Sequence, residues 1–504
     1  MSMNTMDLHA LVTDHTAEVY WDKPDAARPE ERYEVLLDGA AVTEAARTHA
    51  TLENLTPDTE YTALVTMGDG RLPLGSVRFR TGKTRRRIDV TAAPYHAAGD
   101  GRTLNTAALQ RAMDDCGRDQ CVYFPAGVYL TGALRLHSHM EVYLEEGAVL
   151  QGTEEPADYL PRILSRFEGT ELMCYASLLN LGELDHAAGP GCEDVLIHGR
   201  GTIASGGRTL ARRIIEDERI RLKDDLTALG DKILECENLD TIPGRVRPRL
   251  INMSNCRHVR ISGLTLANGA SWNVHMIYSD HIVTDHCVFR SEGVWNGDGW
   301  DPDSSEDCTL FACRFFTGDD AVAIISGKNP EGNLINRPSR RIRVFDCESA
   351  FGHGVTIGSE MSGGVEDVRI WDCDLRVSMS GLEIKATRKR GGYVRDIWVR
   401  DCVMPRVMMH AVPYNDDGVA APVPPVLSDC RFERLTLTGL YQASHDGGDM
   451  RPCSAIELTG FDVPGHEIDR IAFRNVVIAN GALGVEMKHV KHVTLENIAC
   501  LEEV

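Results

Sequence analysis

The sequence lacks the features of a membrane-spanning or exported protein. No run of residues approaches the ~18 apolar positions of a transmembrane helix. Residues 1–8 contain neither a basic region nor the apolar core of a secretory signal, which predicts a cytoplasmic protein unless a signal for secretion or periplasmic export has been removed. Positive charge is also scarce, since 53 Lys and Arg stand against 75 Asp and Glu and the net charge is −22. Nucleic acid and anionic membrane surfaces are therefore not expected as main partners.

Closely spaced cysteine pairs are missing too. None of the fifteen cysteines forms a Cys-x-x-Cys pair, so we expect no zinc site, and the sequence predicts no metal or other cofactor. Several cysteines instead recur in one local context, as in Asp346-Cys347 and Asp372-Cys373. A cysteine that recurs once per repeat is typical of a small buried hydrophobe. We therefore predict a stacked ladder of reduced thiols rather than a disulfide framework.

The chain is long enough, at 504 residues, for two or more domains. Residues 1–82 alternate short β-rich segments with turn residues, and the stretch from Leu55 to Tyr61 (Leu-Thr-Pro-Asp-Thr-Glu-Tyr) resembles the tyrosine corner of fibronectin type III modules. We therefore predict a small fibronectin type III-like β-sandwich over residues 1–82. The basic, polar stretch 81–87 is typical of a solvated linker, and residues 83–504 are predicted to form a second domain.

The second domain is dominated by a repeated segment. From Arg249 onward, short stretches of alternating apolar and polar residues, such as Ile342–Cys347, recur at intervals of mostly about 21 to 34 residues. Such self-similarity indicates a solenoid whose rungs bury a shared core. Residues 88–150 contain a helix that Asn105 can N-cap, followed by three β-rich segments. This order resembles the N-terminal cap and first rungs of a right-handed parallel β-helix of the pectinase kind, an all-β fold.

A helical insertion interrupts the strand pattern at about residues 205–240, where Leu210, Ile214 and Leu226 belong to an amphipathic stripe. We predict that this insertion packs on the wall of the solenoid. Two alternatives remain open, namely a wall or lid that closes one end of a substrate groove, and a dimer surface. The oligomeric state itself does not follow from the sequence.

Four polar motifs stand out against the apolar repeat: Asn296-Gly297-Asp298, Gly318-Asp319-Asp320, Gly352-His353-Gly354 and Glu383-Ile384-Lys385. The intervals from Asp298 to Asp319, on to His353 and on to Lys385 are 21, 34 and 32 residues, each compatible with one rung plus a loop. Equivalent positions on neighbouring rungs lie about 4.8 Å apart, so these side chains are predicted to converge on one outer face. The carboxyl groups of Asp298, Asp319 and Asp320 would then raise each other's pKa, and one of these three is expected to keep a proton near neutral pH.

With these motifs the sequence resembles glycoside hydrolase family 28, the polygalacturonases, whose motifs are Asn-Thr-Asp, Gly/Gln-Asp-Asp, Gly-His-Gly and Arg-Ile-Lys. The resemblance covers roughly residues 88–504, and the N-terminal β-domain is similar to the module ahead of some bacterial exo-acting members. It implies an inverting hydrolase in which Asp319 is the general acid, while Asp298 and Asp320 hold and deprotonate the attacking water. His353 would hydrogen-bond to the acid and tune its protonation.

Two positions depart from the family motifs. Gly297 replaces Thr, and Glu383 replaces an Arg that in the family helps to hold the carboxylate of a galacturonate unit beside the cleavage point. Because Glu cannot bind a carboxylate as Arg does, the sugar in the leaving-group subsite stays open. Lys385 is the candidate for binding a substrate carboxylate, and the basic stretch that contains Arg388 and Arg390 indicates an anionic substrate.

Three further residues are candidates for contact with a sugar. Trp272 and His275 lie one rung before Asp298, and Tyr414 lies in a loop one rung beyond Lys385. Each of the three could equally be a structural aromatic or a histidine whose hydrogen bonds are satisfied inside the protein.

The leading hypothesis is a hydrolase of α-linked galacturonides that acts from a chain end on short pectic oligosaccharides. The extra N-terminal module, the helical insertion and the missing export signal all favour it. A second hypothesis gives the hydrolase a neutral leaving-group sugar, as in rhamnogalacturonan, with Glu383 accepting hydrogen bonds from hydroxyls. A third is a non-catalytic carbohydrate-binding solenoid, which predicts loss of at least one acid although all three are present. A lyase on the same fold would need Ca²⁺ held by carboxylates and a cationic base.

Overall fold

The computed structural model describes residues 6–68, 72–187, 189–236, 238–412, 418–444, 448–481 and 483–501. The chain forms two compact units, Met1–Arg87 and Ile88–Val504, and the boundary between them falls at the end of the basic stretch 81–87. Within the described ranges, no helix has both the length and the apolar character needed to cross a membrane.

The N-terminal unit is a small β-sandwich of two antiparallel sheets. One sheet contains, in spatial order, Leu8–Val12, Ala17–Trp21 and His49–Leu52, and the other contains Ala40–Ala45, Tyr33–Leu37, Glu60–Met67 and Leu72–Arg80. The Tyr61 hydroxyl accepts a hydrogen bond from the backbone N–H of Thr56 (3.0 Å), the contact expected of a tyrosine corner. The strands therefore form as the alternating apolar residues of this segment predict.

The second unit is a parallel β-helix built from three long sheets, which confirms the predicted fold. The 15-stranded sheet contains Arg86–Asp89, Gln120–Phe124, Glu141–Leu144, Cys192–Gly199, Cys256–Ser262, Asp280–Asp285, Glu306–Phe311, Ser339–Phe345, Val365–Trp371, Tyr393–Arg400, Val403–Met404, Val426–Glu433, Thr436–Leu437, Ile468–Ile478 and Val490–Cys500. The eight-stranded sheet contains Asp100–Leu104, Gly127–Thr131, Ala148–Gly152, Thr202–Ala204, Thr265–Ala267, Val288–Arg290, Arg314–Phe316 and Glu348–Phe351. The 11-stranded sheet contains Leu134–Leu136, Leu179–Gly182, Ile251–Ser254, Val274–Ile277, Trp300–Asp303, Val322–Ile324, Gly354–Ile357, Gly381–Ala386, Arg406–Ala411, Ile456–Thr459 and Val485–Lys488.

Side-chain alternation gives each strand one buried and one outward face. In the 11-stranded sheet, Val274, Trp300, Val322, Val355 and Leu382 pair in register from one rung to the next and belong to the central core. Successive side chains of a strand point to opposite faces, so the residues between these core positions lie on the outer face. That outer face carries the polar motifs.

A cysteine ladder runs through the solenoid, as the recurring Asp-Cys context predicts. Its members are buried and follow successive strands of the 15-stranded sheet: Cys287, Cys313, Cys347, Cys373 and Cys402. The residue before each cysteine has a φ of 49° to 56°, a left-handed conformation that Asp tolerates better than most residues and that explains the context. All fifteen cysteines are free thiols, which confirms the prediction of reduced cysteines.

We expect Cys347→Ser to lower the free energy of unfolding by about 1–3 kcal/mol, because it places a smaller and more polar hydroxyl in a buried apolar column. Cys500→Ser is the matched control, since Cys500 is exposed and the change should have almost no effect on stability. Denaturant unfolding of both variants and of the unmodified chain measures the loss. Equal stability of the two variants would contradict a packing role for the ladder.

The helices and hairpins are additions to this solenoid. The helices are Thr106–Asp114, Gly207–Arg221, Lys223–Leu229, Thr241–Gly244 and Glu331–Ile335, with 3₁₀ turns at Pro156–Tyr159 and Gly230–Glu235. Two antiparallel hairpins are formed by Ile163–Phe167 with Thr170–Cys174 and by Leu440–Gln442 with Met450–Pro452. The side chain of Asn105 bonds to the backbone of Ala98 and does not cap the helix that follows it.

The segment predicted to be helical, about residues 205–240, contains two successive α-helices and a 3₁₀ turn. Leu210 and Ile214 of the long helix Gly207–Arg221 pack against Tyr159 and Tyr175. These tyrosines flank the hairpin Ile163–Cys174 in the sequence, so the helix packs on the segments that lead into and out of it.

Candidate active site

The first three polar motifs meet at the beginning of consecutive strands of the 11-stranded sheet, and the fourth, Glu383-Ile384-Lys385, lies within the next strand, Gly381–Ala386. Backbone hydrogen bonds join the first three, because the N–H of Gly299 donates to the carbonyl of Asp320 (2.9 Å) and the N–H of His353 donates to that of Asp319 (3.0 Å). The two glycines of Gly-His-Gly have φ of 95° and 98°. A Cβ at the second of them, Gly354, would lie 2.3 Å from the carbonyl oxygen of Gly381, so a larger residue could not hold His353 in this position.

His353 joins two of the carboxylates. Its Nδ1 lies 2.9 Å from Oδ1 of Asp319 and 3.0 Å from Oδ1 of Asp320. Burial acts to lower the pKa of His353, but the charges of Asp319 and Asp320 and their hydrogen bonds outweigh it and raise that pKa to about 10. His353 is therefore a cation at neutral pH.

Asp320 is the carboxylate held most firmly in its charged form. The Thr356 hydroxyl donates to its Oδ1 (2.5 Å), and Nζ of Lys385 lies 3.6 Å from its Oδ2. Burial acts to raise the pKa of Asp320, but Lys385 and His353 outweigh it and hold the pKa well below the usual range.

The pKa of Asp298 is shifted in the opposite direction from that of Asp320. Burial raises its pKa well above the ordinary value, and the charges of Asp319, Asp301 and Asp320 raise it further. Asp301 is fully buried and has a pKa raised for the same reasons, burial first and then Asp320 and Asp319. The face thus holds one carboxyl group whose pKa is lowered by neighbouring cations and two whose pKa is raised by burial.

A metal ion could use part of this cluster. One ligand atom each from Asp319, Asp320 and His353 lies within 4.8 Å of the others. The ammonium group of Lys385 and the protonated His353 already place two positive charges on these carboxylates. The electrostatics therefore favour proton transfer over cation binding at this position.

Glu383 lies in a separate set of contacts on the same face. Its Oε1 accepts a hydrogen bond from Nε2 of His410 (2.7 Å), and its Oε2 accepts one from the Ser380 hydroxyl (3.3 Å). Burial acts to raise the pKa of Glu383, but Lys385 and His410 outweigh it and lower that pKa to about 2. Glu383 is therefore an ionised carboxylate at the position where the family motif has a cation.

The basic stretch after Lys385 divides into two parts. Arg388 is exposed, as expected for a residue that could meet an anionic substrate. Arg390 was predicted to do the same, but it is fully buried and donates to Asn329 (2.7 Å) and Glu360 (3.2 Å). The prediction for Arg390 is wrong because the chain turns inward there and uses the guanidinium to fix two neighbouring loops.

Trp272 and His275 are also not available to a sugar, which corrects both predictions. The Trp272 ring is 5% exposed and stacks on Phe167 at 4.8 Å between ring centroids. His275 has no exposed surface, and its Nε2 lies 3.4 Å from Oδ2 of Asp303. Tyr414, the third predicted contact, lies outside the residues that the structure describes.

The hairpin Ile163–Cys174 covers these side chains. The Ser165 hydroxyl bonds to Asn252 (2.8 Å), and NH1 of Arg166 lies 2.9 Å from Oδ1 of Asp303. At the hairpin's turn, the N–H of Lys328 donates to the carbonyl of Gly169 (3.0 Å). The hairpin thus lies across the outer face over successive rungs from Asn252 to Lys328, which include the rungs of Asp298 and Asp320.

Two outward residues of the site were missed in the sequence. Asp301 lies in the strand that follows Asp298, and strand alternation from Trp300 would have placed it on the outer face. His410 pairs in register with Lys385, one rung further on, and counting one strand onward would have found it.

Comparison with known proteins agrees with the motifs. Residues 228–420 match the family described as Glycosyl hydrolases family 28, and residues 90–142 match Rhamnogalacturonase A/epimerase, pectate lyase-like. A probable polygalacturonase of Vitis vinifera is 33% identical over 326 residues, covering 62% of this chain and 59% of the relative. An exo-poly-alpha-D-galacturonosidase of Dickeya chrysanthemi is 25% identical over 498 residues, covering 89% of this chain and 82% of the relative. The chain thus spans less than two thirds of the Vitis protein and most of the Dickeya protein.

Solved structures show the same fold. A family 28 exopolygalacturonase of Yersinia enterocolitica has a TM-score of 0.81 at 20% identity, covering 99% of this chain and 98% of that one. A hyperthermoactive exopolygalacturonase from Thermotoga maritima has a TM-score of 0.66 at 24% identity, covering 82% of this chain and 92% of that one. At these identities the likeness is one of architecture.

Proposed function

We propose that the chain is a glycosidase of the kind described by the matched glycosyl hydrolase family 28, and that it hydrolyses α-linked galacturonides of pectic oligosaccharides from a chain end. The observation that carries this proposal is the cluster of Asp298, Asp319 and Asp320 with His353 and Lys385 on one outer face. This arrangement places carboxyl groups whose pKa values are shifted in opposite directions beside a cation. The names of the two relatives supply the substrate class.

The proposed roles follow from exposure and charge. Asp319 has a 20% exposed side chain against 6% for Asp320, which suits it to meet a glycosidic oxygen. Asp320, held ionised by Lys385 and His353, suits holding and orienting the attacking water as a hydrogen-bond acceptor. Burial and the neighbouring carboxylates raise the pKa of Asp298, so the three acids bind protons as a coupled group, and the proposed reaction needs one proton on Asp319 and carboxylates beside the water.

The proposed reaction is a single displacement. Asp319 gives its proton to the glycosidic oxygen as the bond between that oxygen and the anomeric carbon breaks. Water attacks the anomeric carbon from the opposite face, and Asp298 or Asp320 takes the proton that it loses. The product therefore has the inverted anomeric configuration.

The position of the hairpin Ile163–Cys174 supports action from a chain end. By family resemblance Glu383 and Lys385 mark the leaving-group side, and they lie C-terminal to the acidic cluster along the solenoid. The non-reducing part of the substrate would then extend toward the N-terminal rungs, where the hairpin covers His275 and bonds to Asn252. Such a wall leaves room for few sugars on that side.

We expect hexagalacturonate labelled at its reducing end to shorten stepwise, because the wall limits how much substrate can extend beyond the cleavage point. Chromatography at early turnover should show unlabelled products of one fixed short length and a ladder of labelled remainders. The inactive variant Asp319→Asn should give neither product. Early unlabelled fragments of mixed, intermediate length would contradict action from the non-reducing end.

A further inference from the structure

Beyond the acidic cluster, four charged side chains lie together on the C-terminal side of the site, and we refer to them as the leaving-group cluster: Glu383, Lys385, His410 and Glu457. Register places them on three successive rungs, since Glu383 pairs with Met408 and Met408 with Glu457, while Lys385 pairs with His410. His410 bridges the two acids, with Nε2 at 2.7 Å from Glu383 and Nδ1 at 3.7 Å from Glu457. His410 thus links the two acids directly, and Lys385, two residues beyond Glu383 on the same strand, acts on Glu383 through its charge.

The cluster has no net positive charge. Burial acts to lower the pKa of His410, but hydrogen bonds and charges of Glu383 and Glu457 outweigh it and raise that pKa to about 9. His410 and Lys385 are then cations, and Glu383 and Glu457 are ionised, since the pKa of each acid is lowered. Two positive and two negative charges cancel, whereas an Arg at position 383 would leave the same network positively charged.

We propose that the leaving-group cluster selects an uncharged glycosyl residue on the leaving-group side, either a neutral sugar or a uronate whose carboxyl group is esterified. This inference rests on the proposed function. A free carboxylate bound there would stand beside Glu383, which is itself nearly buried, and like charges repel strongly where water screens them poorly.

Hydroxyl groups, in contrast, find acceptors in this cluster. The side chain of Glu457 is 26% exposed and 3.7 Å from its cationic neighbour, so it has lone pairs free for a sugar hydroxyl. The His410 side chain is 18% exposed between the two acids. These groups suit the recognition of hydroxyls more than that of a second acid.

The sharpest test uses two substrates that differ by one charge. They are α-1,4-digalacturonate and the same disaccharide with the reducing-end carboxyl methyl-esterified. We expect kcat/KM of the unmodified enzyme to be about tenfold higher for the ester, because the ester removes the repulsion with Glu383. A ratio of one or less would overturn the inference.

Variants assign the preference to named residues. Glu383→Gln should reduce the ester preference at least about threefold and Glu383→Arg should reverse it, because each change removes the repelling carboxylate. Glu486→Gln is the matched control, since Glu486 lies one rung beyond Glu457 and is exposed, and its ratio should stay that of the unmodified enzyme. An unchanged ratio in Glu383→Gln would overturn the role of Glu383, and Glu457→Gln provides a second variant if Glu383→Gln does not fold.

The same experiment separates this inference from the function on which it rests. Cleavage of p-nitrophenyl α-D-galacturonide, whose leaving group is not a sugar, reports recognition of the galacturonosyl unit alone. If this compound and both disaccharides remain intact, the proposed function fails. If they are cleaved and the diacid is cleaved as well as the ester, only the assignment of the leaving-group cluster fails.

Discussion

Asp319→Asn is expected to lower kcat on oligogalacturonides by about 10²- to 10⁴-fold, the range that a positioned general acid contributes. Asn has the size of Asp but cannot give a proton to the departing oxygen, so the sugar would have to leave as an alkoxide. The change keeps the position polar and leaves the contact between His353 and Asp320 in place. Release of reducing ends measures the rate, and the thermal midpoint of unfolding reports that the fold is kept.

A substrate whose leaving group needs no proton provides a control for this prediction. p-Nitrophenolate departs without being protonated, so the loss of rate on p-nitrophenyl α-D-galacturonide should be far smaller than on an oligosaccharide. Asp462→Asn is a matched acid-to-amide change at a side chain that is 90% exposed, and both rates should be unaffected. Equal losses on the two substrates in Asp319→Asn would show that Asp319 acts as something other than the acid.

The solenoid and the gathering of the acids could be predicted because both depend on short-range pattern. Alternation fixes which face each side chain occupies, and parallel stacking brings Asp298, Asp319 and His353 onto neighbouring rungs whatever the loops between them do. Glycines on both sides of His353 then have a local reason, since the backbone has positive φ there. These features need no knowledge of distant segments.

The predictions that failed depend instead on contacts between segments far apart in the sequence. Trp272 and His275 were predicted to contact a sugar, but the hairpin Ile163–Cys174 covers them. The contact that fixes this hairpin joins Arg166 to Asp303, 137 residues further along the chain. Periodicity within a rung carries no information about such a contact. The departure at Glu383 was visible in the sequence, whereas its compensation by His410 needed the register of two strands.

Arg166→Met is expected to lower the free energy of unfolding by about 3–5 kcal/mol, because it leaves the carboxylate of Asp303 buried without its charged partner. Neither side chain of this ion pair has any exposed surface, and Met approximates the length of the Arg stem. The Arg166 guanidinium also bonds to the Ser304 hydroxyl (2.9 Å) and lies 5.1 Å from the centroid of the Tyr278 ring. Denaturant unfolding measures the loss.

Two further variants distinguish the buried charge from general damage to the hairpin. Arg166→Met combined with Asp303→Asn should recover most of the stability, since the second change removes the charge that the first left unpaired. Arg395→Met breaks an ion pair of 2.7 Å with Glu366 in which the arginine side chain is 52% exposed, so its cost should stay below about 1 kcal/mol.

The pattern of cleavage products tests whether the ion pair between Arg166 and Asp303 also determines where the substrate is cut. If Arg166 holds the wall against the solenoid, Arg166→Met should release some fragments of intermediate length from hexagalacturonate, and the double variant should release fewer. Arg395→Met should keep the pattern of the unmodified enzyme because it lies on another sheet. A large loss of stability with an unchanged product pattern would mean that the hairpin stabilises the solenoid without limiting where the substrate is cut.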